Sequence, residues 1–143
     1  HSYEEVAYEI TTLDNQNQNI GMGMIGALTT PLEEVAFLKM VKKAFNAEGI
    51  RHSPFCNKPI KKVAVLGGSG SFAINAALKA GADAFITADL KYHQFYQAER
   101  QLILADIGHY ESEQFTKNIL TDFLTKKFTN FAVVFVVSNV ASC

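Results

Sequence analysis

The chain has no tryptophan, three prolines and two cysteines in 143 residues. Two thiols, Cys56 and Cys143, make neither a disulfide framework nor a metal-binding spacing. Reduced cysteines in a cytoplasmic protein are the simplest reading. No apolar run nears the roughly 20 residues of a membrane helix. The longest, Phe131 to Val137, reads as a buried strand. No excess of one sign exists either: 13 Lys and Arg face 14 Asp and Glu, a net charge of −1. That balance argues against a general nucleic-acid surface. With 48% hydrophobic residues it also excludes disorder. A signal peptide is not visible. An initiating methionine is missing as well: the chain begins at His1 and runs almost at once into a strand-like stretch, Val6 to Leu13. A fragment of a longer protein is therefore expected.

What is present is an alternation of short apolar runs and helical periods. After the polar stretch Asp14 to Asn19, Gly21 to Leu28 is glycine-rich and apolar. Thr30 and Glu33 have capping-box spacing and Pro31 fits a first helical position, which predicts a helix from there to about Ala47. Strands are expected at Val63–Leu66, Ala84–Thr87, Leu102–Ile107 and Phe131–Val137. Helices are expected at 72–80, 91–101 and 109–127. Apolar strands alternating with helices mean an α/β fold, with a four-stranded, mostly parallel sheet covered by helices on both faces. The expected division is residues 1–29 as a terminal strand and linker, and 30–143 as the α/β unit.

Three motifs bear on chemistry. Gly21 to Gly26 satisfies Gly-x-Gly-x-x-Gly, but no strand precedes it and no helix opens within it, so a close-packed strand or turn is the better reading than a dinucleotide site. The turn Gly67-Gly68-Ser69-Gly70 does join a strand to a helix. Its N–H groups suit an anion nest, with a plain tight turn as the simpler alternative. His109 and Glu113 lie four residues apart at a helix start, which puts them on one face about 6 Å apart. Continued to Leu124, the helical wheel places both inside the apolar arc. A buried imidazole and carboxylate need a partner. Either they bond each other or they share a divalent metal, of which zinc, iron, manganese or nickel suit this donor pair better than calcium. Asp89, Lys91 and His93 follow the second strand at the same sheet edge, and Asp106 ends the third. Any of these can orient a ligand or move a proton, though Asp89 also suits an N-cap.

The segments Ala88-Asp89-Leu90-Lys91-Tyr92-His93 and Asp106-Ile107-Gly108-His109-Tyr110-Glu111-Ser112-Glu113 resemble the Nif-three-like family, whose members are often labelled GTP cyclohydrolase type-two homologues. Val63 to Gly70 and Gly21 to Gly26 fit as well. So does the opening His1-Ser2-Tyr3-Glu4-Glu5, apart from Ser2, where the family usually has proline. The resemblance implies two α/β halves with a two-metal site between them, and an inserted PII-like domain whose last strand would be His1 to Leu13. It carries the family's Gly-His-x-x-x-Glu ligands onto His109 and Glu113. The first-half ligands, an adjacent His pair and an Asp, have no counterpart in this chain. It further implies a ring-shaped homo-hexamer, and metal-dependent hydrolysis of a small phosphate-containing or nucleotide-like substrate. His93 is then a candidate acid or base. The alternative is a metal-binding regulatory or scaffold protein without turnover. No membrane or nucleic-acid partner is expected.

Overall fold

The computed structural model describes residues 21–134 and 136. The expected strand at Val6 to Leu13 lies outside them. Five strands form one mixed sheet: β1 (Met24–Leu32), β2 (Arg51–His52), β3 (Ile60–Ser69), β4 (Ala84–Ala88) and β5 (Ile103–Asp106). Their order is β1-β3-β4-β5-β2. The three central strands run parallel, and both edge strands are antiparallel to their neighbours.

The α/β class holds, with helices on both faces, but the four-stranded parallel sheet does not. The outer edge of β5 pairs with Arg51 and His52, which face Asp106 and Ala105. Phe131 to Val134 lie outside any strand, and Phe131 and Val134 are exposed. At the other edge β1 pairs with β3, so the Gly-x-Gly-x-x-Gly stretch runs into a strand rather than a phosphate loop. The backbone does pack closely there: a Cβ on Gly23 would sit 2.7 Å from the Val65 carbonyl oxygen.

The period of two along the central strands sorts the core into two layers. Ala64, Leu66, Phe85, Leu102 and Leu104 point to one face, packed with Ile74 and Ala77 of helix α2 (Ile74–Lys79) and with Leu90 and Ala98. Val63, Ala84, Ile86, Ile103 and Ala105 point to the other, under Phe37 and Val41 of helix α1 (Glu34–Ala44). The α1 capping box is not formed. Thr30 and Pro31 belong to β1, whose register is irregular between Ala27 and Leu32, and the helix starts one residue after Glu33. Proline is tolerated there because an edge strand at an irregularity needs no ladder donor. The buried carboxylate of Glu34 instead accepts from the N–H groups of Cys56 (2.6 Å) and Asn57 (3.2 Å), tying α1 to the loop before β3.

Helix 109–127 is two helices, α3 (His109–Glu113) and α4 (Thr116–Lys127), broken at Gln114 and Phe115. The wheel drawn through both is therefore not one face. The apolar residues of α4 are exposed among the described residues, including Ile119, Leu120 and Phe123.

Asp83, just before β4, ties that strand to the start of β3. Its Oδ2 accepts from the N–H groups of Lys61 (3.1 Å) and Lys62 (2.8 Å), and Lys58 Nζ stands 3.1 Å from Oδ1. Partial burial pushes this carboxyl up, but the two backbone donors and Lys58 outweigh it and hold it below its ordinary value. Its folded-state pKa is thus depressed, so its stabilisation is present above the unfolded carboxylate range and is lost as pH falls through the folded value. Asp83→Asn is expected to cost about 1–2 kcal/mol at neutral pH. Urea denaturation of both proteins should show the gap closing below about pH 4.

Candidate functional site

The carboxyl ends of the three parallel strands deliver the chemistry-bearing residues to one edge. The turn at Gly67–Gly70 ends β3, Asp89 follows β4, and His109 follows β5. Parallel α/β sheets place ligands at this edge.

His109 is set between two carboxylates. Its Nδ1 lies 2.6 Å from Asp89 Oδ2, and its Nε2 lies 3.2 Å from Glu113 Oε2. The spacing of four residues thus puts imidazole and carboxylate on one side of α3, as expected. Burial does not follow: the side chains of Asp89, His109 and Glu113 are each about half exposed. The reason is the break after α3, which separates this turn from the apolar residues of α4. The Asp89 hydrogen bond comes first, then the charges of Asp89 and Glu113, and together they hold the His109 imidazole above its ordinary value.

The glycine turn supports this pair. Gly68 has φ +66°, and a Cβ there would lie 2.5 Å from Glu113 Oε1 and 3.5 Å from His109 Cε1. The missing side chain is the space the Glu113 carboxylate uses, while His109 would stay at ordinary contact distance. Gly68 also donates its N–H to Ser112 Oγ (2.8 Å), while that hydroxyl donates to the His109 carbonyl (2.8 Å). Its own carbonyl accepts from the buried Thr87 hydroxyl at 3.0 Å. Of the four residues proposed for an anion nest, Gly68 thus spends its N–H on α3.

Asp89 is not a cap. The 3₁₀ segment Tyr92–Ala98 starts from Lys91, whose N–H donates to Gln94 Oε1 at 2.8 Å. Asp89 instead has φ +57° and turns its carboxylate to His109. Asp106 faces inward, onto the backbone of the neighbouring loops. Buried at the end of β5, it accepts from the N–H groups of Leu90 (2.9 Å) and Gly108 (3.1 Å) and pairs with Arg51. Arg51 also donates to the Leu90 carbonyl at 3.0 Å. His93 is exposed on the 3₁₀ segment and makes no hydrogen bond among the described residues. Three supports escaped sequence reasoning: Arg51, Ser112 and the inward role of Asp106. Asp106 carried a signal, a lone carboxylate ending an apolar strand. Arg51, 55 residues away, carried none.

Among the described residues no group of three His, Cys, Asp or Glu side chains converges as a metal cluster would. No helix among them is long and apolar enough to cross a membrane.

A profile of the family described as Duf34/NIF3 (NGG1p interacting factor 3) matches residues 4–143. A Bacillus subtilis (strain 168) protein named GTP cyclohydrolase 1 type 2 homolog is 34% identical over 131 residues, covering 91% of this chain and 34% of the relative. The solved structure of a Bacillus cereus protein related to NIF3 aligns with a TM-score of 0.67 and 32% identity, over 95% of this chain and 41% of that one. Staphylococcus aureus protein SA1388 aligns with a TM-score of 0.72 and 27% identity, over 85% and 41% of the two chains. The chain spans about a third of the length of the curated relatives it matches.

Proposed function

We propose, for a chain that belongs to the Duf34/NIF3 family, that His109 and Glu113 are part of a divalent-metal site serving hydrolysis of a phosphate-containing or nucleotide-like small molecule. The observation that carries this reading is the His109 ring between two carboxylates. A neutral imidazole has a single N–H. With that proton on Nδ1, toward Asp89, Nε2 turns a lone pair toward Glu113. A lone pair facing a carboxylate is favourable only with positive charge between them, either a second ring proton or a cation. One imidazole nitrogen and one carboxylate oxygen suit zinc, iron, manganese or nickel. The residues present fit such an ion but do not complete its shell. The remaining ligands are proposed to come from outside these 143 residues, in keeping with the greater length of the relatives.

Bound there, a divalent cation supplies Lewis-acid activation of a phosphoryl oxygen. His109 and Glu113 would hold it, and the absence of a side chain at Gly68 leaves room for the Glu113 carboxylate. His93 is the proposed acid or base, exposed at the same sheet edge. An anion at the 67–70 turn would bind without the Gly68 N–H. Two metals per subunit, a homo-oligomeric ring and a cytoplasmic setting are proposed from the family resemblance. The exposed apolar face of α4 supports association, since contiguous apolar surface marks interaction sites.

In the full-length protein, His109→Ala is expected to lower bound zinc or manganese at least ~10-fold after dialysis. Unchanged metal content overturns the ligand assignment. Turnover of phosphoesters or nucleotides, lost in Glu113→Ala, supports the hydrolase. Metal retained with no turnover in the wild type favours the regulatory or scaffold alternative. The two ligands alone should bind weakly, so calorimetry on the 143-residue chain is expected to show no tight site.

A further inference from the structure

We propose that Asp89 is the positioning residue of this site: it fixes the His109 tautomer with the proton on Nδ1, leaving the Nε2 lone pair directed at Glu113. Three observations meet on it. Its carboxylate lies 2.6 Å from Nδ1, and this is its only hydrogen bond among the described residues. Its backbone is in the left-handed region, φ +57°, an uncommon conformation that aspartate and asparagine adopt more readily than other non-glycine residues. That conformation is held by the next residue, because the Leu90 N–H is bonded to Asp106 and the Leu90 carbonyl to Arg51. The fold therefore holds Asp89 in one uncommon conformation, with a single target for its side chain.

Stability does not account for the contact. Both partners are about half exposed. Ion pairs in such settings contribute little, typically under about 1 kcal/mol. Local helix formation does not account for it either, since the cap is Lys91. Orientation does. A ring nitrogen that faces a ligand is set by the hydrogen bond its other nitrogen makes, and carboxylates commonly supply that bond. Asp89 reaches His109 from a different strand end. It therefore holds the ring against the sheet independently of Glu113, which shares α3 with it. The tautomer assignment stands on the apo geometry alone; its consequence for affinity rests on the metal reading above.

The test uses the full chain labelled with 15N-histidine, at a pH where the ring is neutral, with His109→Ala identifying the signal. Two-bond proton–nitrogen spectra should show wild-type His109 in the Nδ1–H form. Asp89→Asn tolerates the left-handed backbone but can donate to Nδ1. It should therefore shift the ring to the Nε2–H form that free histidine prefers. Asp89→Gly removes the side chain without backbone strain and should do the same. Titration of zinc alone into the full-length protein should show affinity reduced ~10–100-fold in both variants. A wild-type Nε2–H ring, or an Nδ1–H ring that persists in both variants, overturns the proposal. So does unreduced zinc affinity in both variants of a protein whose site needs His109. A wild-type Nδ1–H ring lost in the variants, in a protein that binds no zinc, upholds the tautomer assignment and sinks the metal reading instead.

Discussion

Asp106→Ala is expected to destabilise the protein by about 2–6 kcal/mol, chiefly the cost of leaving two backbone N–H groups without their acceptor. The carboxylate is 4% exposed. It accepts the Leu90 and Gly108 N–H groups and pairs with Arg51. Alanine leaves both donors without an acceptor beneath the loops, at about 1–3 kcal/mol each. Arg51 itself is largely exposed, so its share of the loss is the smaller one. Asp106→Asn keeps one acceptor oxygen and the shape of the side chain. It should cost about half as much. Urea denaturation of the three proteins measures the difference, and a loss under about 1 kcal/mol for alanine would refute the network as a support. The damage should be directional: Leu90 adjoins Asp89, and Gly108 adjoins His109. Amide exchange should therefore accelerate at residues 88–91 and 107–110 before it does so in β3.

That dependence explains how much of the site was legible. His109 and Glu113 were readable because four-residue spacing within one helical turn is a local fact, and α3 keeps it. Their burial was not readable, because it rested on α3 and α4 sharing one continuous wheel. The pair of turn residues at Gln114 and Phe115 resets that wheel with no glycine or proline to announce it. Asp89 was visible as a polar residue after a strand. Capping was then the natural local role, since what decides otherwise is a histidine 20 residues on.

The fold divides the same way. β4 and β5 are buried, short and apolar, and their bounds fall within two residues of expectation. The edges were missed for opposite reasons. β2 has two residues and hence no period to detect. β1 follows two glycines and carries Gly26 and Pro31, which read as a linker and a helix start, and only pairing with β3 makes it a strand. The expected strand at Phe131 to Val137, as far as its described residues go, erred in the other direction. An apolar run predicts burial in general, without saying against what, and the free edge of β5 belongs to Arg51 and His52. The same limit applies to α4, whose apolar side chains find no cover among the described residues.

Gly70→Ala is expected to cost about 3 kcal/mol, at the upper end of overpacking losses, while its near neighbour Gly68→Ala should cost about 1 kcal/mol. The contrast lies in what each new methyl meets. At Gly70, with φ −107°, alanine is unstrained, but its Cβ falls well inside contact distance of Thr87 Oγ1 and 2.8 Å from Leu66 Cδ2. Thr87 is fully buried and its hydroxyl is committed to the Gly68 carbonyl, so it cannot rotate away without breaking that bond. The strain passes into β4 and the core. At Gly68 the obstacle is Glu113 Oε1, the far end of a flexible, half-exposed side chain, which moves cheaply. The remaining cost is the left-handed backbone, φ +66°. Yet moving Glu113 separates it from His109 Nε2, so Gly68→Ala should weaken zinc binding by the full-length protein ~10-fold or more. Gly70→Ala, where it still folds, should change zinc affinity less. Thermal denaturation and zinc titration of both variants give the two orderings. If Gly70→Ala is the worse variant in both, the glycine turn serves packing alone, and the space over Gly68 has no role in holding the His109–Glu113 pair together.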